Sequence, residues 1–376
     1  MMSILGGGLP TTLKTLLIQG TFLLPRRHYY PSLEELEIKG GFDSLWCFPL
    51  EFYPKLKSFS VFGSESLESL SVSEGSHRDL ISLTSLNIFD CPKFVSFPNG
   101  GLCAPNLTEI YIFGCEKLKS LPEGMCTLLP SLESLELNKC PELQSFPTGG
   151  LPSSLVTLDI VECDKLFSRR MEWGLQGLHS LKQFKIWFVI KEVESFPDEA
   201  WLPPTLTEFT IFRFLNLKSL NSMGFQHLTS LQRLEIQSCH GLRYLTEERL
   251  PASLSSLILE ECPLLKQRCQ RDKGKDWPKI SHIPFIQIED EVITWTTCYE
   301  LTSTSVQRWV LVLHQYHLLI AQFWVKIIAW NHQKLLFKEI GFHCTFDLDS
   351  VNINECGKFL KLTCIVEHPC QINSVT

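Results

Sequence analysis

The stretch SLESLELNKCPELQSFPTGGLPSSLVTLDIVEC, residues 131–163, states one motif twice. Leu132-x-x-Leu135-x-Leu137 is followed, after two further residues, by Cys140, and Leu155-x-x-Leu158-x-Ile160 is followed in the same way by Cys163. Between the copies runs Leu143-x-x-Phe146-Pro147. Side chains alternate faces along a strand, so Leu135 and Leu137 share the inner face while Glu136 and Asn138 take the outer one. One such strand cannot bury its apolar row alone, but stacked copies form a continuous core.

Working outward, the motif's first leucine recurs at Leu13, Leu33, Leu56, Leu83, Leu107, Leu132, Leu155, Leu181, Leu206, Leu231 and Leu254. Successive separations run from 20 to 27 residues, within the span of roughly 20–29 that marks leucine-rich repeats. The spacing predicts an α/β leucine-rich-repeat solenoid over residues 1–290, a curved horseshoe with short parallel strands on its concave side. The returns Phe94-x-x-Phe97-Pro98, Leu118-x-x-Leu121-Pro122 and Leu143-x-x-Phe146-Pro147 each carry a proline that halts regular structure. The convex side should therefore hold irregular loops and short 3₁₀ turns, with few long helices. Leu67, Leu70 and Val72 read as an off-register extra copy inside the longest gap. Strands are led in alternately by Leu-Pro-x-x-Leu, as at Leu151–Leu155, and by Leu-x-Ser-Leu, as at Leu178–Leu181. That alternation points to growth by duplication of repeat pairs.

The net charge of −7 across 376 residues argues against nucleic acid or an acidic membrane as the main partner. The first thirty residues show no basic start followed by an apolar run, so no signal peptide is read. With no such signal, fifteen cysteines suggest reduced thiols and a cytoplasmic setting. No G-x-x-x-x-G-K-[ST] phosphate loop and no suggestive Ser-His-Asp spacing occurs, so neither an enzyme nor a nucleotide, small-molecule substrate or other cofactor is expected. Residues 291–376 lose the repeat. Their apolar run between Val306 and Trp330 is broken by Arg308, His314, His317 and Lys326, which argues against a membrane span. His343, Cys344, Cys356, Cys364, His368 and Cys370 lack a C-x-x-C pair, so no metal site is expected there.

The outward strand positions form the surface that repeats in register. The middle row reads Glu37, Ser60, Asn87, Tyr111, Glu136, Asp159, Lys185, Thr210 and Glu235; the next reads Lys39, Phe62, Phe89, Phe113, Asn138, Val161, Trp187, Phe212 and Gln237. Exposed aromatics in one row are not required by the core, and such patches mark interfaces. The candidate partner-binding residues are Phe62, Phe89, Tyr111, Phe113, Glu136, Asp159, Lys185, Trp187, Phe212, Glu235 and Gln237. Acidic residues outnumber basic ones in these rows, so a partner with a basic patch is expected. Cys91, Cys115, Cys140, Cys163, Cys239 and Cys262 occupy an inward site where a thiol can bond the backbone of the turn.

These cysteine-bearing repeats, joined by "SFPTGGLPSSL"-type linkers, resemble those of plant nucleotide-binding leucine-rich-repeat disease-resistance proteins of the coiled-coil class. The segment Glu261-Cys262-Pro263-Leu264-Leu265-Lys266-Gln267-Arg268-Cys269, followed by Asp276-Trp277-Pro278-Lys279-Ile280-Ser281-His282-Ile283-Pro284, is similar to that family's C-terminal close. The resemblance covers roughly residues 7 to 290. It implies a protein-recognition module of an intracellular immune receptor. The implied partners are a pathogen effector, a host protein guarded by the receptor, or the receptor's own switch domain. Because the phosphate loop is missing, nucleotide binding is not carried over, and Met1 standing just before a mid-array linker suggests an array that starts part-way. Two other readings are a generic leucine-rich-repeat scaffold and a ubiquitin-ligase substrate receptor. The latter would need an adaptor-binding helical segment ahead of the repeats.

Overall fold

A tight turn sets up each strand. The amide of Leu107 donates to the Ala104 carbonyl at 3.0 Å, that of Leu155 to Pro152 at 3.2 Å and that of Leu254 to Pro251 at 3.1 Å. Proline suits such turns because its φ is already set. The computed structural model describes residues 10–19, 29–40, 46–72 and 79–294. Within them the turns launch the strands Thr15–Gln19, Glu35–Lys39, Ser58–Phe62, Ser85–Phe89, Glu109–Phe113, Ser134–Asn138, Thr157–Val161, Gln183–Trp187, Glu208–Phe212, Arg233–Gln237 and Ser256–Glu260. These eleven lie side by side in chain order as a parallel ladder. Register is strict: Leu86 pairs with Ile110, Ile110 with Leu135, and Leu135 with Leu158. A slip of one residue would turn every inward leucine to solvent.

The inward side chains close the core. Leu86, Leu135, Leu158, Phe184, Phe209 and Leu234 are fully buried, as are the leading Leu107, Leu132 and Leu181. The returns add Phe94, Leu118 and Leu143 behind them. Where the array passes residues 167–225 the core becomes aromatic: Phe184 stacks on Phe209 at 5.5 Å, and Trp201 meets both Phe184 and Phe196. Helices stay short, the longest among the described residues being Asp164–Ser168.

All six repeat cysteines are buried, and each thiol reaches back to a strand-end carbonyl. Cys91 bonds the Phe89 carbonyl at 3.4 Å, Cys163 that of Val161 at 3.3 Å and Cys262 that of Glu260 at 3.3 Å. Burial pushes the Cys91 thiol up to about 12, so it stays protonated and able to donate.

Just past each strand the chain turns through the left-handed region. Asp90, Lys139, Glu162, Phe188, Arg213, Ser238 and Glu261 all have φ between 48° and 59°, a conformation that costs a residue with a Cβ on the order of 1 kcal/mol. In return the corner amide reaches the next strand: Lys139 N donates to Val161 O at 2.9 Å and Arg213 N to Gln237 O at 2.8 Å. The ladder is thus one hydrogen bond longer per repeat than its strands. At Gly114 a Cβ would fall 2.5 Å from Asp90 Oδ1, so any other residue at that corner would displace the Asp90 side chain.

Two local expectations are corrected. Leu67 and Leu70 are not an extra ladder copy: strand Ser69–Ser71 pairs with Cys47–Pro49 in a separate two-stranded sheet. Its Ser69 also bridges Ser96. The motif there is the ordinary return path, which has the same Leu-x-x-Leu spacing. The array also holds one parallel strand more than the eleven that the leading leucines mark. The Trp277–Ile280 helix leads into a further parallel strand, Phe285–Ile288, and an antiparallel strand, Glu291–Thr294, ends the sheet. Residues 291–294, read from the sequence as tail, therefore belong to the ladder; the rest of the tail lies outside the described residues.

A salt-bridged clasp holds this end. Asp276, fully buried, receives Arg268 Nε at 2.7 Å and Nη2 at 3.1 Å, and Lys279 Nζ at 2.9 Å. Burial alone would raise the Asp276 pKa, but the two cations hold it below the ordinary carboxylate value. Its contribution is therefore present above about pH 4 and lost as pH falls further. Asp276→Ala should lower stability by about 2–4 kcal/mol in urea melts at pH 7, because two half-buried cations lose their partner. A loss below about 0.5 kcal/mol would show that the clasp does not secure the end of the array.

Candidate functional site

The outward rows run down the ladder in register, as strand alternation requires. Glu37, Ser60, Asn87, Tyr111, Glu136, Asp159, Lys185, Thr210 and Glu235 are successive partners, and so are Lys39, Phe62, Phe89, Phe113, Asn138, Val161, Trp187, Phe212 and Gln237. All the sequence-selected residues thus stand on one face. They do not form one uniform strip.

The aromatics are less open than expected. Phe62 stacks on Phe89 with ring centroids 4.5 Å apart, and Phe89 leans on Tyr111 at 4.5 Å. Phe113 and Val161 are almost completely buried, at 9% and 8% exposure, while Phe62, Phe89, Trp187 and Phe212 are half-buried. The cause is the spacing of about 4.8 Å between adjacent strands, which brings large neighbouring side chains into contact. Cations cover some edges: Lys39 sits 5.7 Å from the Phe62 ring centre and Lys139 5.3 Å from that of Phe113. Farther along, Trp187 leans on Phe212 at 4.8 Å and Phe212 on Phe188 at 5.6 Å. Ile190 and Leu215, shortly after the same two strands in the chain, are exposed at 60% and 50%. Sequence reading missed these last three, because they lie beyond the strand where alternation no longer assigns a face.

Between the aromatic groups lies a half-buried polar segment, Tyr111, Glu136, Asp159 and Lys185 in one row with Asn138 beside it. Desolvation, and then the Asp159 charge, push the Glu136 carboxyl up to about 8. Desolvation raises Asp159 to about 7, while Lys185 draws both down only in part. Burial, followed by the neighbouring carboxylates, raises the Tyr111 phenol. Four buried polar atoms on this face lack a well-formed hydrogen bond: Tyr111 Oη, Asn138 Oδ1, Asp159 Oδ1 and Trp187 Nε1. Such orphans are uncommon in folded proteins, and here they fall on four adjacent repeats. Glu235 differs, being satisfied by Arg233 at 3.1 Å and by Gln237.

Among the described residues no group of three or more His, Cys, Asp or Glu is placed to hold a metal ion, and no helix is long and apolar enough to cross a membrane. The tail residues His343, Cys344, Cys356, Cys364, His368 and Cys370 lie outside the described residues.

Comparison with known proteins gives one informative match. The chain is 39% identical over 291 residues to "Putative disease resistance protein At3g14460" of Arabidopsis thaliana. The alignment covers 76% of this chain but only 20% of the relative, so the chain spans about a fifth of that protein's length. No protein-family model matches. Among solved structures, the leucine-rich-repeat domain of the type III effector XopL overlaps 68% of this chain and 76% of its own, at 19% identity and a TM-score of 0.40. A leucine-rich-repeat protein of Bacteroides ovatus overlaps 72% and 81%, at 16% identity and a TM-score of 0.19. These structural overlaps are too low to bear on function.

The raised carboxyls have a consequence for stability. Between their ordinary values of 4.5 and 3.8 and their folded values of about 8 and 7, the folded chain keeps protons that the unfolded chain has released. Stability from this pair is therefore full below about pH 4 and declines as pH rises to about 8. Discounted for the water that reaches half-buried groups, the loss is on the order of 2 kcal/mol. The paired change Glu136→Gln and Asp159→Asn should flatten the decline and raise the melting temperature at pH 8.5. An unchanged pH profile in that variant would mean the carboxyls are well solvated.

Proposed function

The repeats of this chain are those of a plant disease-resistance leucine-rich-repeat protein, and on that premise we propose that its ladder face is a non-enzymatic protein-recognition surface of an intracellular immune receptor. One observation carries the reading. The outward rows combine two stacked aromatic groups with a run of buried polar atoms left without partners, whereas the inward rows are complete and apolar. A surface that served folding alone would not hold desolvated groups without hydrogen bonds in two adjoining rows of four adjacent repeats, because each costs about 1–3 kcal/mol. Contact with another protein would satisfy them. Half-buried aromatics ringed by polar residues are the usual centre of such contacts.

Fitting partners are a pathogen effector, a host protein that the receptor guards, or the receptor's nucleotide-binding switch domain. Repeat frameworks set shape and outward residues set specificity, so the framework alone does not choose among the three. The acidic middle row favours a partner with basic groups, and association should weaken as salt rises.

Two sets of alanine variants test this. Leu86→Ala and Ile110→Ala should each cost about 2–5 kcal/mol of stability through core cavities. Phe89→Ala and Trp187→Ala should keep their melting temperature within a few degrees. They should nonetheless weaken capture of a separately expressed switch domain of this receptor class, or of the matching effector, by at least about 1 kcal/mol each. Outward variants that fold and bind normally would move the recognition surface elsewhere.

A further inference from the structure

The orphaned atoms on the ladder face differ in kind, and the difference identifies what would complete them. Asn138, 91% buried by its 9% exposure, leaves its side-chain oxygen Oδ1 unpartnered. Asp159 Oδ1 is likewise buried and unpartnered one strand on, and the Glu136 carboxyl lies next to it in the row. Two acceptors thus lack a donor, and the Glu136 carboxyl beside them is engaged by the Tyr111 phenol alone among neighbouring side-chain donors. Trp187 Nε1 is a buried donor without an acceptor, two strands from Asn138 in the same row, or about 10 Å along the ladder.

Several occupants can be compared on that pattern. A metal ion would satisfy the acceptors, but a hard cation wants six or more oxygens, and no group of three acidic, His or Cys ligands is assembled here among the described residues. A lysine ammonium offers three donors from a strongly hydrated point charge, whose desolvation is costly. A guanidinium carries five donors in a plane, is weakly hydrated and stays charged at any relevant pH. It can bridge two carboxylates and an amide oxygen together, and it stacks well on an aromatic ring such as that of Tyr111. Trp187 needs an acceptor instead, which the backbone carbonyl of a peptide supplies. No free small cation brings both.

We propose that the site formed by Tyr111, Glu136, Asn138, Asp159 and Trp187 accepts one arginine side chain of a partner protein, with the carbonyl of an adjoining residue taken by the Trp187 indole. This rests on the ladder face being the recognition surface and names the chemistry of the partner's anchor. The charged and titratable groups facing the pair are Tyr111 on one flank and Lys185 on the other. Lys185 already draws both carboxyls down in part. The carboxyls must be ionised to hold the arginine, so binding strengthens from pH 6 to pH 8.5, while folding stability moves the opposite way.

The test uses the full chain and blocked five-residue peptides with arginine, lysine or citrulline between two leucines, titrated by calorimetry at pH 8. Citrulline keeps the shape of arginine and removes its charge. The arginine peptide should bind at least about tenfold more tightly than the citrulline peptide and about threefold more tightly than the lysine peptide. Glu136→Gln with Asp159→Asn should abolish that preference while the protein stays folded. Trp187→Phe, which keeps a ring but loses the donor, should weaken the arginine peptide about fivefold. Equal binding of citrulline, an arginine preference that survives in the double variant, or no measurable binding of the arginine peptide would each overturn the assignment. So would displacement of the peptide by 5 mM calcium chloride (about a thousand times a typical sensor-site Kd) together with a calcium-dependent rise in melting temperature. If the arginine preference fails while Phe89→Ala still weakens capture of the switch domain or effector, the recognition surface stands and only its anchor is misassigned.

Discussion

No repeat in this chain can satisfy its own backbone. Each strand sends its amides and carbonyls sideways to its neighbours, and the left-handed corner after it sends one more, as Lys139 N does to Val161 O at 2.9 Å. That dependence explains the rest. Strict register follows, because corner, strand and leading turn must all align at once. The inward leucines then stack into one core, and outward side chains are forced into rows whatever their chemistry. Eight residues with side chains, from Asp90 to Glu289, accept a positive φ after the strands because the bond gained there sits within a buried ladder.

The rows are where folding and function part. Core demands end at the inward face, where Leu86, Ile110 and Leu135 are interchangeable apolar fillers. On the outward face the same geometry compresses whatever stands there. It stacks Phe62 on Phe89, and it desolvates Glu136 and Asp159 while leaving Asp159 Oδ1 without a hydrogen bond. The second effect costs stability and is tolerated only because the clasped, continuous core has stability to spare. Local cost held in place by a rigid scaffold is common at binding sites.

The fold was largely legible in the residues, since Leu-x-x-Leu-x-Ile spacing and strand alternation both report the inner face directly. The last parallel strand was not, because Ile283-x-x-Ile286-x-Ile288 puts isoleucine at both positions where the motif has leucine and comes directly after the Trp277-Pro278 segment. Leu67 and Leu70 misled because return and ladder share the same first spacing. The outward rows could be written down by counting, which placed Tyr111, Glu136, Asp159 and Trp187 on the right face. Their partial burial could not be foreseen, because it depends on the bulk of side chains one repeat away. Asn138 shows this best: it was one polar residue in an aromatic row until its neighbours Phe113 and Val161 proved buried.

The central claim is that one unbroken hydrogen-bonded ladder of parallel strands runs from Thr15 to Ile288. Native-state hydrogen exchange with peptide-level resolution reads this directly. The account predicts slow exchange in every strand and at the corner amide after it, recurring once per repeat. The Phe285–Ile288 strand should be protected together with Ser256–Glu260, and the convex returns should exchange faster. Protection confined to one block, with intervening strands or the Phe285–Ile288 strand exchanging as fast as the returns, would contradict it.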